Sequence, residues 1–169
     1  MKKTNENGRR DFVQQWTQDC IKKMQGDGSA GRTKEGEPLT QSVGNFKRAK
    51  VIEGDSLYIV FVSESGVHLV GRMKVRSITE RAEWDGDHPD NQLWHGPLVA
   101  EGQEGTPMVF WRPITAPILR CMVRADLIND DGTLTGDGRT QPFQGIHRLS
   151  AESARQLDEL IEEYEREEQ

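Results

Sequence analysis

Six consecutive apolar residues, Leu57-Tyr58-Ile59-Val60-Phe61-Val62, constrain this chain more than any other feature. The run is far too short to span a membrane, and its β-branched and aromatic content favours a strand. A strand that is apolar on both faces belongs in the middle of a sheet covered on both sides. Ser63-Glu64-Ser65-Gly66 follows as a turn, and Val67 to Ile78 then alternates. Val67, Leu69, Gly71, Met73 and Val75 are expected on a core face, with His68, Val70, Arg72, Lys74 and Arg76 on the other. The pair predicts a long hairpin carrying a row of cations on one side.

Around this hairpin the chain divides into three parts. Residues 1–25 read as an N-terminal helical segment. Within it Phe12, Val13, Trp16, Cys20, Ile21 and Met24 recur at three- and four-residue spacing, predicting an amphipathic helix from Asp11 to Met24. Residues 26–41 read as a flexible linker. They contain a literal GxGxxG, Gly26 to Gly31, but that motif needs a strand before it and a helix after it to bind a dinucleotide. Residues 42–169 form the main domain. A loop-rich stretch is expected over Glu80–Gly105, with strands at Met108–Trp111 and Ile118–Ile128. The second ends in an Asn129-Asp130-Asp131-Gly132 hairpin turn. Ser150 caps a C-terminal helix whose Ala154, Leu157, Ile161 and Tyr164 form one stripe, suited to packing on its own domain. The pattern predicts an α+β fold: a barrel-like mixed sheet with flanking N- and C-terminal helices.

The net charge of −6 is unevenly spread. Residues 152–169 hold eight acids and two arginines, so they account for all of it. Residues 1–50 are net positive and residues 51–151 net negative by the same amount. The acidic total therefore does not exclude an anionic partner, though it argues against strong nonspecific DNA binding. No apolar run is long enough for a membrane span, and the first residues lack a signal-peptide core. Cys20 and Cys121 read as reduced packing residues. A cytoplasmic location is expected.

Three segments together resemble the PUA-like superfamily, and within it the EVE-type domains related to YTH and ASCH domains. They are Ser42-Val43-Gly44-Asn45-Phe46-Lys47-Arg48-Ala49, Ile52-Glu53-Gly54-Asp55-Ser56-Leu57-Tyr58-Ile59, and Val67 to Val75 with its Leu69-Val70-Gly71-Arg72. Ile146-His147-Arg148-Leu149-Ser150 before a helix fits versions from bacterial defence and restriction contexts. The resemblance covers residues 42–165. It implies a pocket that recognises a nucleobase, often a modified one, with the Asn45-Phe46 loop lining it.

The expected partner is accordingly DNA or RNA, with an effector supplied by another chain and no membrane. A base read outside its helix needs flat apolar faces and a few hydrogen-bonding groups at its edge. Trp84 and Trp94 are the expected stacking faces, Trp111 the pocket wall, and Asn45 the edge contact. The plain alternative is that these indoles only fill the core or anchor loops. Arg72, Lys74 and Arg76, with Arg48, are expected to contact phosphates; the alternative is a solvated strand face. His88 and His95 lie among Asp85, Asp87 and Asp90, but the spacing is not that of a zinc site. Asp126 to Gly138 imitates a calcium loop yet places Leu127 and Gly138 at ligand positions. The sequence shows no phosphate loop, nucleophile elbow or zinc-deaminase signature, so no enzyme, metal or cofactor is expected. The competing function is a protein-interaction or regulatory adaptor that binds no nucleic acid. A small hydrolase or nuclease is the third.

Overall fold

The computed structural model describes residues 10–18, 20–21, 35–89, 93–135 and 142–167. Among these, six strands form one sheet: β1 (Asp11–Trp16), β2 (Gln41–Gly44), β3 (Ser56–Ser63), β4 (Gly66–Glu80), β5 (Leu98–Gln103) and β6 (Ile146–Leu149). The helices beside it are α1 (Phe46–Ala49), α2 (Arg81–Asp87), α3 (Ala116–Met122) and α4 (Ala151–Glu167). The strand order is β2-β5-β4-β3-β1-β6. β1 runs parallel to β3, and every other pairing is antiparallel.

β3 occupies an interior position in the sheet, as its apolar run requires. Leu57, Ile59 and Phe61 face an inner cluster with Phe12, Trp16, Val43, Phe46, Met73 and Val75. Tyr58 and Val60 face the opposite cluster, where Val67, Leu69, Ile114, Leu119, Leu157 and Ile161 pack. The hairpin with β4 forms as expected, but its alternation is interrupted. The register slips between Ile59 and Val60, so that Val60 opposes Leu69 and Ile59 opposes Gly71. A bulge moves one residue out of step and swaps the faces beyond it. Val67 and Leu69 thus face the helices while Met73 and Val75 face the inner cluster. Gly71 suits this kink, because a Cβ there would lie 2.9 Å from Thr106 Oγ1. Arg72 is turned toward α4, where it pairs with Asp158, and the Tyr58 hydroxyl donates to the same carboxylate at 2.6 Å. Burial works against the Arg72 cation, but Asp158 and Tyr58 outweigh it and raise its pKa.

The predicted N-terminal helix is overturned over residues 11–16. These form β1, paired with β3 on one side and β6 on the other. The three- and four-residue spacing fits a helix, but Phe12, Gln14 and Trp16 also share one face at period two. Two ladders of backbone hydrogen bonds favour the strand over a local helix. Among the described residues one turn of the expected helix survives, where Ile21 N–H donates to Thr17 O at 3.0 Å and Cys20 and Ile21 are buried. Of the expected linker, residues 26–34 lie outside the described residues, as does the Gly26–Gly31 motif. The stretch Glu80–Gly105 contains α2 and β5 rather than loop alone. Ile118–Ile128 is α3 followed by a 3-10 turn, with Pro117 set in its first turn. Met108–Trp111 does not join the sheet as a strand. The Asp-Gly turn does form, but its hairpin is reduced to a single bridge between Ile128 and Leu134.

The sheet is curled yet not closed into a barrel. β2 and β6 remain its two edges, bridged near β1 by side chains rather than by a backbone ladder. α4 lies across the outer cluster, capped by Ser150 Oγ accepting from Ser153 N–H at 3.1 Å, with Ala154, Leu157 and Ile161 buried. Among the described residues no helix is long and apolar enough to cross a membrane. Leu157→Ala should cost about 2–5 kcal/mol in urea denaturation by leaving a cavity under α4. The same change at the half-buried Leu160 should cost less.

Candidate nucleic-acid interface

The two sheet edges approach each other beside β1, and the gap between them is an open cleft of about 500 Å³. Gln14 of β1 lines it, with Gly44, Asn45, Arg48 and Ala49 on one side and Gln144 to His147 on the other. A buried polar chain holds this arrangement. The Trp16 indole N–H donates to Ser42 Oγ at 2.9 Å, and Ser42 Oγ–H donates to Gln14 Oε1 at 2.5 Å. Gln14 Nε2 then donates to the Val43 carbonyl at 2.8 Å, which also accepts from the Trp94 indole at 3.3 Å. Gly44 permits the approach, since a Cβ there would lie 2.6 Å from Gln14 Nε2.

The α1 corner divides its residues between core and cleft. Phe46 is fully buried and anchors the corner, while Asn45 and Arg48 are exposed. Asn45 Oδ1 caps the short helix by accepting from Arg48 N–H at 3.3 Å. Lys50 ends it at φ +64°. The Arg48 guanidinium has no partner among the described residues, whereas neighbouring Lys47 pairs with Glu80 at 2.8 Å. Across the cleft, His147 contacts the Gln144 carbonyl through Nε2, and Gly145 turns the chain at φ +85°. Among the described residues, Arg48 is the one lysine or arginine lining the cleft, the imidazole of His147 lies across from it, and no carboxylate lines it.

The expected site residues are thus brought together only in part. Asn45 and Arg48 share the cleft. Trp84 and Trp94 do not: they are 5% and 8% exposed and belong to the inner cluster. Trp94 packs edge-on to Trp16 with ring centres 5.1 Å apart, and Trp84 stacks on His88 at 3.6 Å. Loop indoles that sequence alone offers to a ligand are drawn inward, because burying so large an apolar surface outweighs leaving it for stacking. Trp111 is 59% exposed but lies elsewhere, edge-on to Phe61 and His68. Nor do the three cations of β4 form one free row. Arg72 is taken up by Asp158, Arg76 pairs with Glu101 at 3.0 Å, and Lys74 is exposed.

Sequence reasoning passed over Gln14, Ser42, Gln144 and His147 as cleft-building residues. The signal available was Gln14 set between Val13 and Trp16, a polar residue where the strand pattern calls for burial. It also passed over Arg81, which holds the Trp94 segment by donating to the Leu93 carbonyl at 3.0 Å and to that of Trp94. His68 is a further buried polar residue, 5% exposed and stacked on Phe61 at 4.7 Å. Its Nε2 meets Ser63 Oγ and Ser65 Oγ, each at 3.1 Å.

No family model matches the chain, and no curated protein matches it. Its architecture is nonetheless similar to a known one, the PUA-like fold of an ASCH domain protein. One solved structure it resembles is a serine-to-alanine mutant of the ZmASCH protein from Zymomonas mobilis, with a TM-score of 0.50 and 11% sequence identity. The similarity covers 89% of this chain and 95% of that one.

Two outcomes test this geometry. Ser42→Ala strands the buried Trp16 N–H and Gln14 Oε1, and should lower stability by about 1–3 kcal/mol in denaturant melts. Burial lowers the His68 pKa from its ordinary 6.5, so the folded chain resists a proton that the unfolded chain accepts. Stability should therefore fall as the pH drops below about 6.5, and level off below the folded-state pKa. Thermal melts across that range should show a shallower decline in His68→Phe.

Proposed function

We propose that this chain is a non-catalytic nucleic-acid-binding module that takes one unstacked nucleotide into the cleft between Asn45 and His147. The observation that carries the reading is the cleft itself. It is an open slot bordered by amide and imidazole groups, with an arginine that has no partner, and with no carboxylate, among the described residues, in a chain whose net charge is −6. Amide groups recognise base edges by paired donors and acceptors, and arginine or histidine planes can stack on a base. Asn45 keeps its Oδ1 on the helix cap, so its amide N–H groups are the ones offered to the base. Arg48 contacts the backbone phosphate or stacks on the base. Gln144 and His147 form the opposite wall. The core indoles support this slot from behind, through the Trp94 bond to Val43, in place of the stacking role expected for them.

The narrower EVE-type assignment, with a modified base as ligand, belongs to the same proposal and rests on the segments at residues 42–59 and 67–75. So does service as a targeting unit for an effector on another chain in bacterial defence. The fold shared with the ASCH protein supports a binding role of this kind and does not select the base.

Fluorescence anisotropy on single-stranded RNA and DNA, with modified bases in the panel, tests the reading. Affinity should fall with salt, and Arg48→Ala should reduce the logarithmic salt slope by about 0.7 for a single-strand phosphate contact. Asn45→Asp preserves the cap acceptor but removes the amide donors. It should weaken binding about 2- to 12-fold, the worth of one neutral hydrogen bond, and more where the new charge meets phosphate. If no oligonucleotide binds at low salt, the protein-interaction adaptor is the better reading.

A further inference from the structure

A second cavity of about 510 Å³ shares no residue with the cleft. It lies between the Pro107–Arg112 segment and the last turns of α4, with Met108, Val109, Tyr164 and Glu165 among its walls and Glu35 at its border. Arg112 is only 3% exposed, and its Nε and Nη1 are both buried without any hydrogen-bond partner among the described residues. The Tyr164 ring faces the cation, 4.6 Å from Cζ. Three other partly buried arginines are provided for: Arg10 meets Asp55, Arg72 meets Asp158, and Arg81 meets Asp85 and two carbonyls. A buried guanidinium with open donors is costly unless an anion completes it. Desolvation lowers the Arg112 pKa, and Tyr164 and Glu165 counter it only in part.

We propose that this cavity binds a small monocarboxylate with an apolar body, gripped by the Arg112 guanidinium beneath Tyr164 as a movable cover. The planar fork of an arginine can give a carboxylate two parallel hydrogen bonds, Nη2 pairing with either Nε or Nη1. Glu35 and Glu165 border the same space, so a doubly charged phosphate would meet like charge there while a single carboxylate meets less of it. Pro107, Met108 and Val109 supply apolar wall for the rest of the molecule. Because Nε and Nη1 are closed to solvent, entry requires the Tyr164 ring to swing aside. Tyr164 stands at the start of the last turn of α4, beyond the buried Ile161.

The test uses the full chain labelled with ¹⁵N-arginine, following the Arg112 Nε–H resonance. Phenylacetate should shift that resonance and saturate, while phenylacetamide, the uncharged counterpart, should not. Arg112→Met should lose the resonance and any phenylacetate-induced rise in melting temperature. Its own melting temperature should match or exceed that of the unliganded wild type, since it removes an uncompensated charge. Tyr164→Ala should keep the phenylacetate response. An unmoved resonance at tens of millimolar phenylacetate would overturn the site. An equal response to the amide, or a response to inorganic phosphate alone, would overturn the ligand class. A melting temperature for Arg112→Met well below the wild type would show that the arginine serves the fold instead. None of these outcomes bears on oligonucleotide binding at the cleft.

Discussion

The hydroxyl of Ser42 sits between a tryptophan donor and a glutamine acceptor, and the shape of the molecule depends on that junction. It joins β1 to β2 although β5, β4 and β3 separate them in the sheet, and it adds direction to the packing of Phe12 and Trp16 against Val43. The junction draws one end of the curled sheet onto the other by side chains alone. Each polar group in it has a partner, which is what allows it to lie among Trp16, Trp94 and Val43 at all. The cleft is a direct consequence. Where a backbone ladder would have sealed β2 to β6, the side-chain bridge leaves a gap, and the gap is lined by whatever follows β2 and precedes β6. That is the Asn45–Arg48 corner on one side and Gln144–His147 on the other.

This explains why the tryptophans and the cleft are related without being the same thing. An indole is large and costly to leave in water, but it also carries one N–H that needs an acceptor. Trp16 and Trp94 satisfy both needs by packing edge-on and donating into the β2 backbone and Ser42. Their rigidity passes to the α1 corner, and the corner presents Asn45 and Arg48. Arg81 extends the same support by holding the carbonyls of Leu93 and Trp94. Buried, hydrogen-bonded groups thus stand behind an exposed lining, the support a recognition surface needs.

How much of this was legible depends on whether the signal was local. Leu57–Val62 announced an interior strand because burial on both faces leaves no alternation to misread. The C-terminal helix was equally plain, with its serine cap and single apolar stripe. β1 was not, because Phe12, Val13 and Trp16 satisfy helical spacing, and the deciding ladders with β3 and β6 come from residues more than forty positions away. α3 was misread as a strand for the same kind of reason: Ile118, Leu119, Met122 and Val123 suit either element when their tertiary setting is unknown. The bulge at Val70-Gly71 was hidden too, and it alone redirects Arg72 from a free row of cations into a pair with Asp158. At the site, Asn45 and Arg48 could be found because they sit together in one short segment. Their opposite wall lies about a hundred residues later; the segment Ile146–Ser150 stood out only as the entry to the last helix, and nothing in the local pattern assigns Gln144 or His147 to a cleft.

Charge follows the same logic of placement over total. The acids that give the chain its negative sum are concentrated on α4, which Leu157 and Ile161 fasten to the outer cluster. The α1 corner is anchored by Phe46 in the inner cluster, on the other face of the sheet. Packed layers stand about 10 Å apart, and at physiological ionic strength screening acts over about 8 Å. An anion approaching Arg48 therefore feels the local cation more than the remote carboxylates. Arg112 is in the opposite position, close to Glu165 and under a ring, where it is the low dielectric and the neighbouring acid that select what can reach it. Two arginines in one acidic chain are thus suited to different anions by their surroundings: for one, a slot that no carboxylate lines among the described residues; for the other, a pocket edged with acids whose guanidinium donors lie buried beside a ring.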